Sequence, residues 1–522
     1  MKRKLAFAAL WTVVAATAAG LRLPKLGQRP MHADEAVQAA RFRQLWEEGR
    51  YRYNPHEFHG PTLALATLPA VWLAGTDSFA DATPATFRSV PVIFGVATVL
   101  LIWALGDAVG RLAAGVAGLV AALSPAMVFY SRYYIHETLL VFFTLAAVTC
   151  AWRYVRGGRC GWCLAAGACL GLVQATKETS VAVFFAMAAA LGVARLWSRW
   201  LDRTPVWPRG PWRAWHVAVA AGVALAVVVL LLSSFFANPR GPLDGLGAYL
   251  PWLRRAGGDS AHVHPWYFYL QLLAWWHVGD GPWFSEALIL ALAAVGLVAA
   301  LLPARTGLLG QAHVGFVRWV ALYAVILTAI YSLTPYKTPW CLLGFLQAMI
   351  LTAGIGAVAL VRALPGRAAK GVLGAAIAAG AVLLGWQAYR ANFVFTADAC
   401  NPYLYRYTLA DVERLEQDVR RLTQAWPAGS QTLIHVIWSD NYYWPIPWYL
   451  RRFPRAGYWT TIPPDPDAPL VVASPRHDAA LTERLGATHL MTGYYGLRPG
   501  VLAQLWVRMD LWEAHLRRLG RL

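Results

Sequence analysis

The chain has 522 residues, of which 58% are hydrophobic, and its formal charge is +19. This composition excludes a soluble globular protein, because apolar runs of about 20 residues recur along the chain and match the thickness of a bilayer. The basic residues are spread in short clusters between these runs, as in membrane proteins, so nucleic acid is not an expected partner. We therefore predict an all-α polytopic membrane protein in contact with the lipid bilayer.

Eleven apolar runs predict about 11 transmembrane helices. The first run, at about 5–22, follows Lys2-Arg3-Lys4 and is predicted to be an uncleaved span. The other predicted spans are at about 88–106, 112–129, 138–154, 161–175, 180–197, 214–236, 285–303, 316–333, 339–361 and 371–390. Arginine clusters mark the cytoplasmic ends, so the loops at 24–87 and 237–284 are predicted to be extracytoplasmic.

Two domains are predicted, a transmembrane domain at 1–390 and a small extracytoplasmic α/β domain at 391–522. In the first outer loop, residues 34–48 have a helical pattern that ends at Gly49, and an apolar run to Leu73 is predicted to lie in the membrane interface. The tail has buried-strand patterns at 432–438 and 469–473, and helical patterns at 477–485 and 500–518.

Two acidic motifs lie at predicted outer membrane boundaries. The first is Met31-His32-Ala33-Asp34-Glu35-Ala36, and the second is the Ile135-His136-Glu137 end of a longer aromatic run. Acids beside hydrocarbon are costly to desolvate, which makes them candidates for a functional site. For the first motif, an ordinary solvated loop is the alternative.

Three isolated bases lie in the short outer loops. They are Arg132, Lys177 and Lys337, and they suggest a binding site for a phosphate. Each of these side chains could instead lie along the end of its membrane span so that its charged group reaches water. For Lys177, the neighbouring Glu178 is an alternative local partner.

These residues resemble the GT-C superfamily of membrane glycosyltransferases, in particular family 39, which includes protein O-mannosyltransferases and the lipid A aminoarabinose transferase. That family has an Asp-Glu pair in the first outer loop, as at Asp34-Glu35, and a second acid after a Ser-Arg run, as at Ser131-Arg132 and Glu137. The motifs at 336–340, 401–403 and 443–449 resemble a prokaryotic subfamily labelled flippase-activity-associated. The second acid here is a glutamate preceded by His136, where the aminoarabinose transferase has an aspartate.

The resemblance implies transfer of a sugar from a polyprenyl-phosphate carrier. Asp34 is then the catalytic base, with Glu35 orienting or binding the acceptor and Glu137 positioning it. Arg132, Lys177 and Lys337 would neutralise the donor phosphate. We assign His32, His59, His136 and Tyr336 to substrate binding, although His59 could also belong to a solvated loop. No cofactor is expected to be required, and a divalent cation held by Asp34, His136 and Glu137 is an open alternative.

The predicted function is therefore an inverting glycosyltransferase of the inner membrane, with its active site on the extracytoplasmic face. Its expected partners are a polyprenyl-phosphate sugar and a glycan, lipid or protein acceptor. The alternative is a protein that binds lipid-linked sugars without catalysis, such as a flippase accessory, because a fold alone does not decide function.

Overall fold

The structure is a computed structural model that describes residues 2–49, 51–54, 59–203, 212–250, 254, 257 and 262–522. The chain divides into two compact units. The first comprises Met1–Leu26, Gly49–Leu68 and Arg88–Tyr403, and the second comprises Gly27–Glu48, Pro69–Phe87 and Leu404–Leu522.

Helices dominate the chain as far as residue 389. They are α1 (Lys2–Arg22), α2 (Ala33–Glu48), α3 (Thr62–Leu73), α4 (Pro84–Leu101), α5 (Gly106–Val109), α6 (Arg111–Leu123), α7 (Pro125–Ser131), α8 (Glu137–Gly157), α9 (Cys160–Gln174), α10 (Ser180–Asp202), α11 (Ala214–Leu232), α12 (Gly241–Gly247), α13 (Phe268–Ala274), α14 (Ala287–Leu301), α15 (Val314–Leu333), α16 (Leu343–Ala363) and α17 (Arg367–Tyr389). A 3₁₀ helix extends α4, another leads into α16, and a π-helical turn follows α17.

Among the described residues, seven helices are long and apolar enough to cross a membrane. They are built on α4, α8, α10, α11, α15, α16 and α17. An eighth crossing is formed if the bent pair of α6 and α7 counts as one span, with a 60° break at Ser124-Pro125. Shorter apolar helices coincide with the three other predicted spans, and α3 is a 12-residue helix where an interfacial run is predicted. The chain is a multi-pass membrane protein.

Glycines allow the helices of the first unit to pack at close range. A Cβ atom added at Gly356 of α16 would lie 1.9 Å from the carbonyl oxygen of Leu292 in α14. A Cβ atom at Gly296 of α14 would lie 2.1 Å from the carbonyl oxygen of Thr352 in α16. Small residues at such contacts let membrane helices approach closely, since lipid supplies no hydrophobic driving force between them.

We expect Gly356→Ala to destabilise the protein by roughly 1–3 kcal/mol, because its methyl group overlaps backbone that cannot move aside. Gly374→Ala is the matched control, since a Cβ atom at Gly374 of α17 has no neighbour within 4 Å. The control should be as stable as the wild type, or slightly more stable, because alanine favours helix. Thermal unfolding of the detergent-purified protein distinguishes the two, and equal unfolding temperatures would refute the packing argument.

The second unit contains a five-stranded mixed sheet in the order β2-β1-β3-β5-β4. The strands are β1 (Ile434–Ile437), β2 (Ala456–Trp459), β3 (Leu470–Ala473), β4 (His489–Arg498) and β5 (Val501–Arg508). Strand β1 pairs in parallel with β2 and β3, and Ile434 lies opposite Ala456 and Leu470. Strands β1 and β3 are fully buried, which accounts for their uninterrupted apolar sequences. The remaining helices are α18 (Asp411–Thr423), α19 (Ile446–Tyr449), α20 (Asp478–Leu485) and α21 (Met509–Arg518).

Two strands and most of one helix are confirmed here, but the predicted helix at 500–518 is wrong over its first half. Residues Val501–Arg508 form β5, which pairs antiparallel with β4 and β3. The turn between β4 and β5 contains Gly500 at φ +77°. Because five consecutive residues of β5, 503–507, are buried, its apolar run has no alternation that would separate a strand from a helix.

Candidate functional site

In the second unit, the first acidic motif forms the start of α2. The backbone N–H of His32 donates to Oε2 of Glu35 at 3.0 Å, and the backbone N–H of Asp34 donates to Nδ1 of His32 at 3.1 Å. These bonds satisfy amides that have no partner inside the helix. Glu35 is fully buried, and Arg29 lies 3.7 Å from its carboxylate. Glu35 and His32 therefore hold the helix end in place.

Residues from the end of the chain fix the backbone just before α2. The backbone N–H of Met31 donates to the Tyr449 hydroxyl at 2.9 Å, and the Met31 carbonyl accepts from Thr408 Oγ1 at 2.9 Å. Nε2 of His32 lies 2.8 Å from the carbonyl oxygen of Tyr405, so that ring nitrogen carries the proton. The predicted substrate-binding residue His32 thus has both ring nitrogens engaged within this unit.

Asp34 is presented differently from Glu35. Its side chain is 50% exposed, at the first turn of α2, where the helix dipole favours a negative charge. Burial lowers the pKa of Arg498, and the nearby Asp34 carboxylate partly opposes that shift. Asp34 is therefore an accessible carboxylate with an ordered backbone, as a general base requires.

The first unit holds a group of five charged and imidazole side chains, which we call the ion-pair cluster: His59, His136, Glu137, Lys177 and Glu178. Lys177 Nζ donates to Glu137 Oε1, and the two side chains are 4% and 6% exposed. His59 Nδ1 lies 2.7 Å from Glu178 Oε2. The rings of His59 and His136 meet edge to face at 5.1 Å. Glu137, rather than the neighbouring Glu178, is thus the ion-pair partner of Lys177.

Electrostatic interactions favour the charged forms of Lys177 and Glu178 although both side chains are buried. Burial opposes the charge of Lys177, but the attraction of Glu137 outweighs it and raises the pKa of Lys177. Burial likewise opposes the charge of Glu178, but the proximity of His59 lowers the pKa of Glu178 overall. Burial lowers the pKa of His136, whose Nε2 donates to the Gly60 carbonyl at 3.0 Å. His136 is thus a neutral hydrogen-bonding group.

The segment before α3 brings His59 to the cluster. Gly60 donates its N–H to the Thr176 carbonyl at 3.2 Å, and the hydroxyls of Thr62 and Thr176 are 3.0 Å apart. A Cβ atom at residue 60 would lie 2.0 Å from the Ala175 carbonyl oxygen. Only glycine allows this contact, so the Gly60-Pro61 sequence fixes the position of His59 relative to Glu178.

The pair of Glu137 and Lys177 lines one end of a cleft between membrane helices. The cleft encloses about 650 Å³ of empty space, open solvent included, and its other walls are mostly apolar side chains of α8, α15 and α16. On α8 the lining residues run from Glu137 to Val148, about 16 Å along the helix axis. This shape suits a molecule with an anionic group and a hydrocarbon chain.

Other polar side chains also line this cleft, among them Thr144, Tyr323 and Gln347. Within the described part of the chain, the hydroxyls of Thr144 and Tyr323 and both amide atoms of Gln347 are buried without a hydrogen-bond partner. An unpaired buried polar group costs about 1–3 kcal/mol. The cleft is therefore suited to an occupant that includes hydrogen-bonding groups.

We expect Gln347→Leu to raise the stability of the unliganded protein by about 1–3 kcal/mol, because it removes an amide that makes no hydrogen bond. Gln387→Leu is the comparison, because it removes the acceptor of the Ser285 N–H, which lies 2.9 Å from Gln387 Oε1, although the Nε2 atom of Gln387 is itself unpaired among the described residues. The comparison variant should lose stability. Thermal unfolding of both variants tests this, and destabilisation of Gln347→Leu would show that its amide is satisfied in the folded protein.

The other two predicted phosphate-binding bases have different contacts. Arg132 donates to the carbonyls of Arg22 and Pro24 at 2.9 and 2.6 Å, and its guanidinium lies 4.6 Å from the Phe393 ring centre. Lys337 Nζ donates to the carbonyls of His264, at 3.1 Å, and Thr334. Both bases thus cap carbonyl groups at or near helix ends, Arg132 for α1 and Lys337 for α15. A role in phosphate binding stays a prediction for both.

Tyr336 lines a smaller cavity next to the ion-pair cluster. This cavity encloses about 520 Å³ of empty space and is also lined by Glu178 and Tyr331. Tyr331 and Cys341 border both this cavity and the cleft. The predicted substrate-binding residue Tyr336 therefore lies beside a cavity that shares walls with the cleft.

A metal site is not apparent in the described residues. No group of three or more His, Cys, Asp or Glu side chains among them is arranged to hold an ion. A divalent cation held by Asp34, His136 and Glu137 stays an open alternative.

Sequence reasoning did not identify Glu286, which is fully buried before α14. Its carboxylate accepts from Ser124 Oγ at 2.5 Å, from the Ala126 N–H at 2.9 Å and from the Tyr403 hydroxyl at 3.0 Å. Glu286 thus joins the break between α6 and α7 to the Asn401-Pro402-Tyr403 motif. An acid next to an apolar run was the signal that could have identified it.

Comparison with known proteins gives one family match. Residues 68–238 match the model described as dolichyl-phosphate-mannose-protein mannosyltransferase. No curated protein sequence matches the chain.

Solved structures resemble the chain over nearly its whole length. ArnT from Cupriavidus metallidurans bound to undecaprenyl phosphate aligns with 95% of this chain and 98% of its own, with a TM-score of 0.60 and 15% identity. An Archaeoglobus fulgidus oligosaccharyltransferase tethered with an acceptor peptide aligns with 94% of this chain and 72% of its own, with a TM-score of 0.55 and 13% identity. The predicted resemblance to GT-C glycosyltransferases is confirmed, and the chain has their fold.

Proposed function

We propose that this protein is an inverting membrane glycosyltransferase that takes a sugar from a polyprenyl-phosphate carrier. The observation that carries the proposal is the buried pair of Glu137 and Lys177 at one end of a largely apolar cleft between membrane helices. The ArnT structure bound to undecaprenyl phosphate supports a ligand of this class for this fold. In the proposal the protein lies in the inner membrane, and sugar transfer takes place on its extracytoplasmic face.

Lys177 would bind the donor phosphate as a point charge. The ion pair with Glu137 offsets the desolvation cost of burying the Lys177 ammonium group. A bound phosphate would contact this ammonium group beside the Glu137 carboxylate. Arg132 and Lys337 would add positive potential from the loops that they hold in place. The apolar walls below the pair would accept the first isoprene units of the carrier, and Gln347 would hydrogen-bond to polar atoms near the phosphate.

The reaction follows from the roles assigned to the carboxylates. Asp34 takes the proton of the acceptor hydroxyl, whose oxygen attacks the anomeric carbon from the face opposite the phosphate. The bond between that carbon and the phosphate oxygen breaks, and its electron pair leaves with the polyprenyl phosphate. Glu35 would keep α2 in position, and Glu137 would orient the acceptor. The imidazoles of His32, His59 and His136 and the hydroxyl of Tyr336 would contact substrate or its supporting loops.

A release assay tests the proposal directly. Purified full-length protein is incubated with a polyprenyl-phosphate sugar labelled in the sugar, and the free polyprenyl phosphate is measured over time. A transferase releases carrier in the presence of an extract that contains the acceptor. A non-catalytic accessory protein would bind the labelled donor and leave it intact, and that outcome would overturn the proposal.

A further inference from the structure

A second groove, which we call the inner groove, lies at the arginine-rich end of the membrane helices. It encloses about 1100 Å³ of empty space, open solvent included, between α8, α9, α10 and α15. Its walls are apolar, for example Ala151, Leu170, Met187 and Leu191, and Arg195 and Trp212 also line it. The groove therefore has apolar walls and one basic side chain in its lining.

Arg195 is the unusual member of this lining. It is exposed, and within the described ranges it has no hydrogen-bond or ion-pair partner. The acids at the same end of the bundle are already paired, since Asp107 lies 3.7 Å from Arg153 and Asp202 accepts from Arg318. Other bases lie nearby in sequence, including Arg199 at the end of α10 and Arg213 before α11. The positive charge at the groove is therefore not neutralised by the described part of the protein.

We infer that the inner groove binds a membrane phospholipid with an anionic headgroup. One acyl chain would lie in the groove, and Arg195 would contact the phosphate. Along α10 the lining residues run from Phe184 to Arg195, about 16 Å at 1.5 Å per residue. One leaflet supplies about half of the roughly 30 Å hydrocarbon core, so an acyl chain and its headgroup fit this length. Trp212 lies just before the start of α11, and tryptophan side chains are enriched at membrane–water interfaces.

The carrier of the proposed donor is the rival occupant, because the inner groove and the cleft share Val148 and Trp319. A carrier tail entering from the cleft would end in hydrocarbon and would leave the Arg195 guanidinium without an anion. An anionic phospholipid satisfies both the apolar walls and the charge. Basic sites between membrane helices favour anionic lipid for this reason.

The test measures lipid retention by the full-length protein. Delipidated protein in detergent is mixed with equal amounts of phosphatidylglycerol and phosphatidylcholine, and bound lipid is counted by native mass spectrometry. We expect the wild type to retain phosphatidylglycerol at least fivefold better than phosphatidylcholine. Arg195→Ala should abolish this preference. Arg199→Ala removes the same charge from the same helix outside the groove lining, and should keep the preference.

A second variant distinguishes the groove from general surface attraction. Leu191→Trp fills the groove, so it should reduce the retention of both lipids while Arg195 is still present. The inference is overturned if Arg195→Ala retains phosphatidylglycerol as the wild type does, or if added polyprenyl phosphate displaces the phosphatidylglycerol. Neither outcome depends on sugar transfer, so the result is independent of the proposed function.

Discussion

Replacing Asp34 by asparagine is expected to slow sugar transfer by about 10²–10⁴-fold, which is the usual contribution of a positioned general base. Donor affinity should stay unchanged, because the missing proton acceptor acts on the chemical step rather than on binding. The fold should also persist, since the Asp34 side chain is 50% exposed. Single-turnover transfer and equilibrium donor binding are measured on the same preparation.

Glu47→Gln is the matched control for this experiment. Glu47 lies on the same helix and is about half exposed. Among the contacts that the structure describes, its one ion pair is with the exposed Arg43, four residues earlier. Its loss should leave transfer at the wild-type rate, because surface pairs contribute about 0–1 kcal/mol. Wild-type transfer by Asp34→Asn would mean that another group takes the proton.

Lys177→Met is expected to destabilise the protein by about 3–5 kcal/mol, because it leaves the Glu137 carboxylate buried without its cation. Adding Glu137→Gln should restore most of this stability, since a neutral pair needs no charge compensation. The double variant should nevertheless fail to bind the donor. Thermal unfolding and donor binding therefore separate the structural role of the pair from its proposed role at the phosphate.

An exposed pair provides the comparison for this result. Arg43→Met breaks the contact of Arg43 with Glu47, whose side chains are 52% and 48% exposed. It should change stability far less than Lys177→Met does. If the double variant of Lys177 and Glu137 binds the donor as tightly as the wild type, the phosphate is held elsewhere.

The positions of the membrane helices could be predicted because bilayer thickness imposes a minimum apolar length. The break in one predicted span, at Ser124-Pro125, is hydrogen-bonded to Glu286, which lies more than 150 residues away and was not identified from the sequence. In the tail, β5 was predicted as helix because its sequence shows no alternation of apolar and polar residues. Its burial results from pairing with β3 and β4, which a local sequence pattern does not reveal.

Individual residue types in the site could be predicted, but their pairing could not. The sequence places Glu178 beside Lys177, whereas the structure pairs Lys177 with Glu137, 40 residues away. Arg132 lies between α7 and α8, in a loop between two predicted spans as expected, and its carbonyl contacts arise because α1 ends next to it. These partners are determined by packing between segments that are far apart in the sequence, so a local sequence pattern does not reveal them.

The anchoring of Met31 and His32 by Thr408, Tyr405 and Tyr449 also determines when during synthesis the site can form. Residues near position 34 leave the ribosome well before these partners, which lie more than 370 residues later in the chain. Until those partners are made, the start of α2 has its local bonds but lacks the contacts that anchor Met31 and His32. A nascent or truncated chain that ends before residue 405 is therefore expected to insert its membrane helices without the anchored helix start that carries Asp34, and so to be inactive in the proposed sugar transfer.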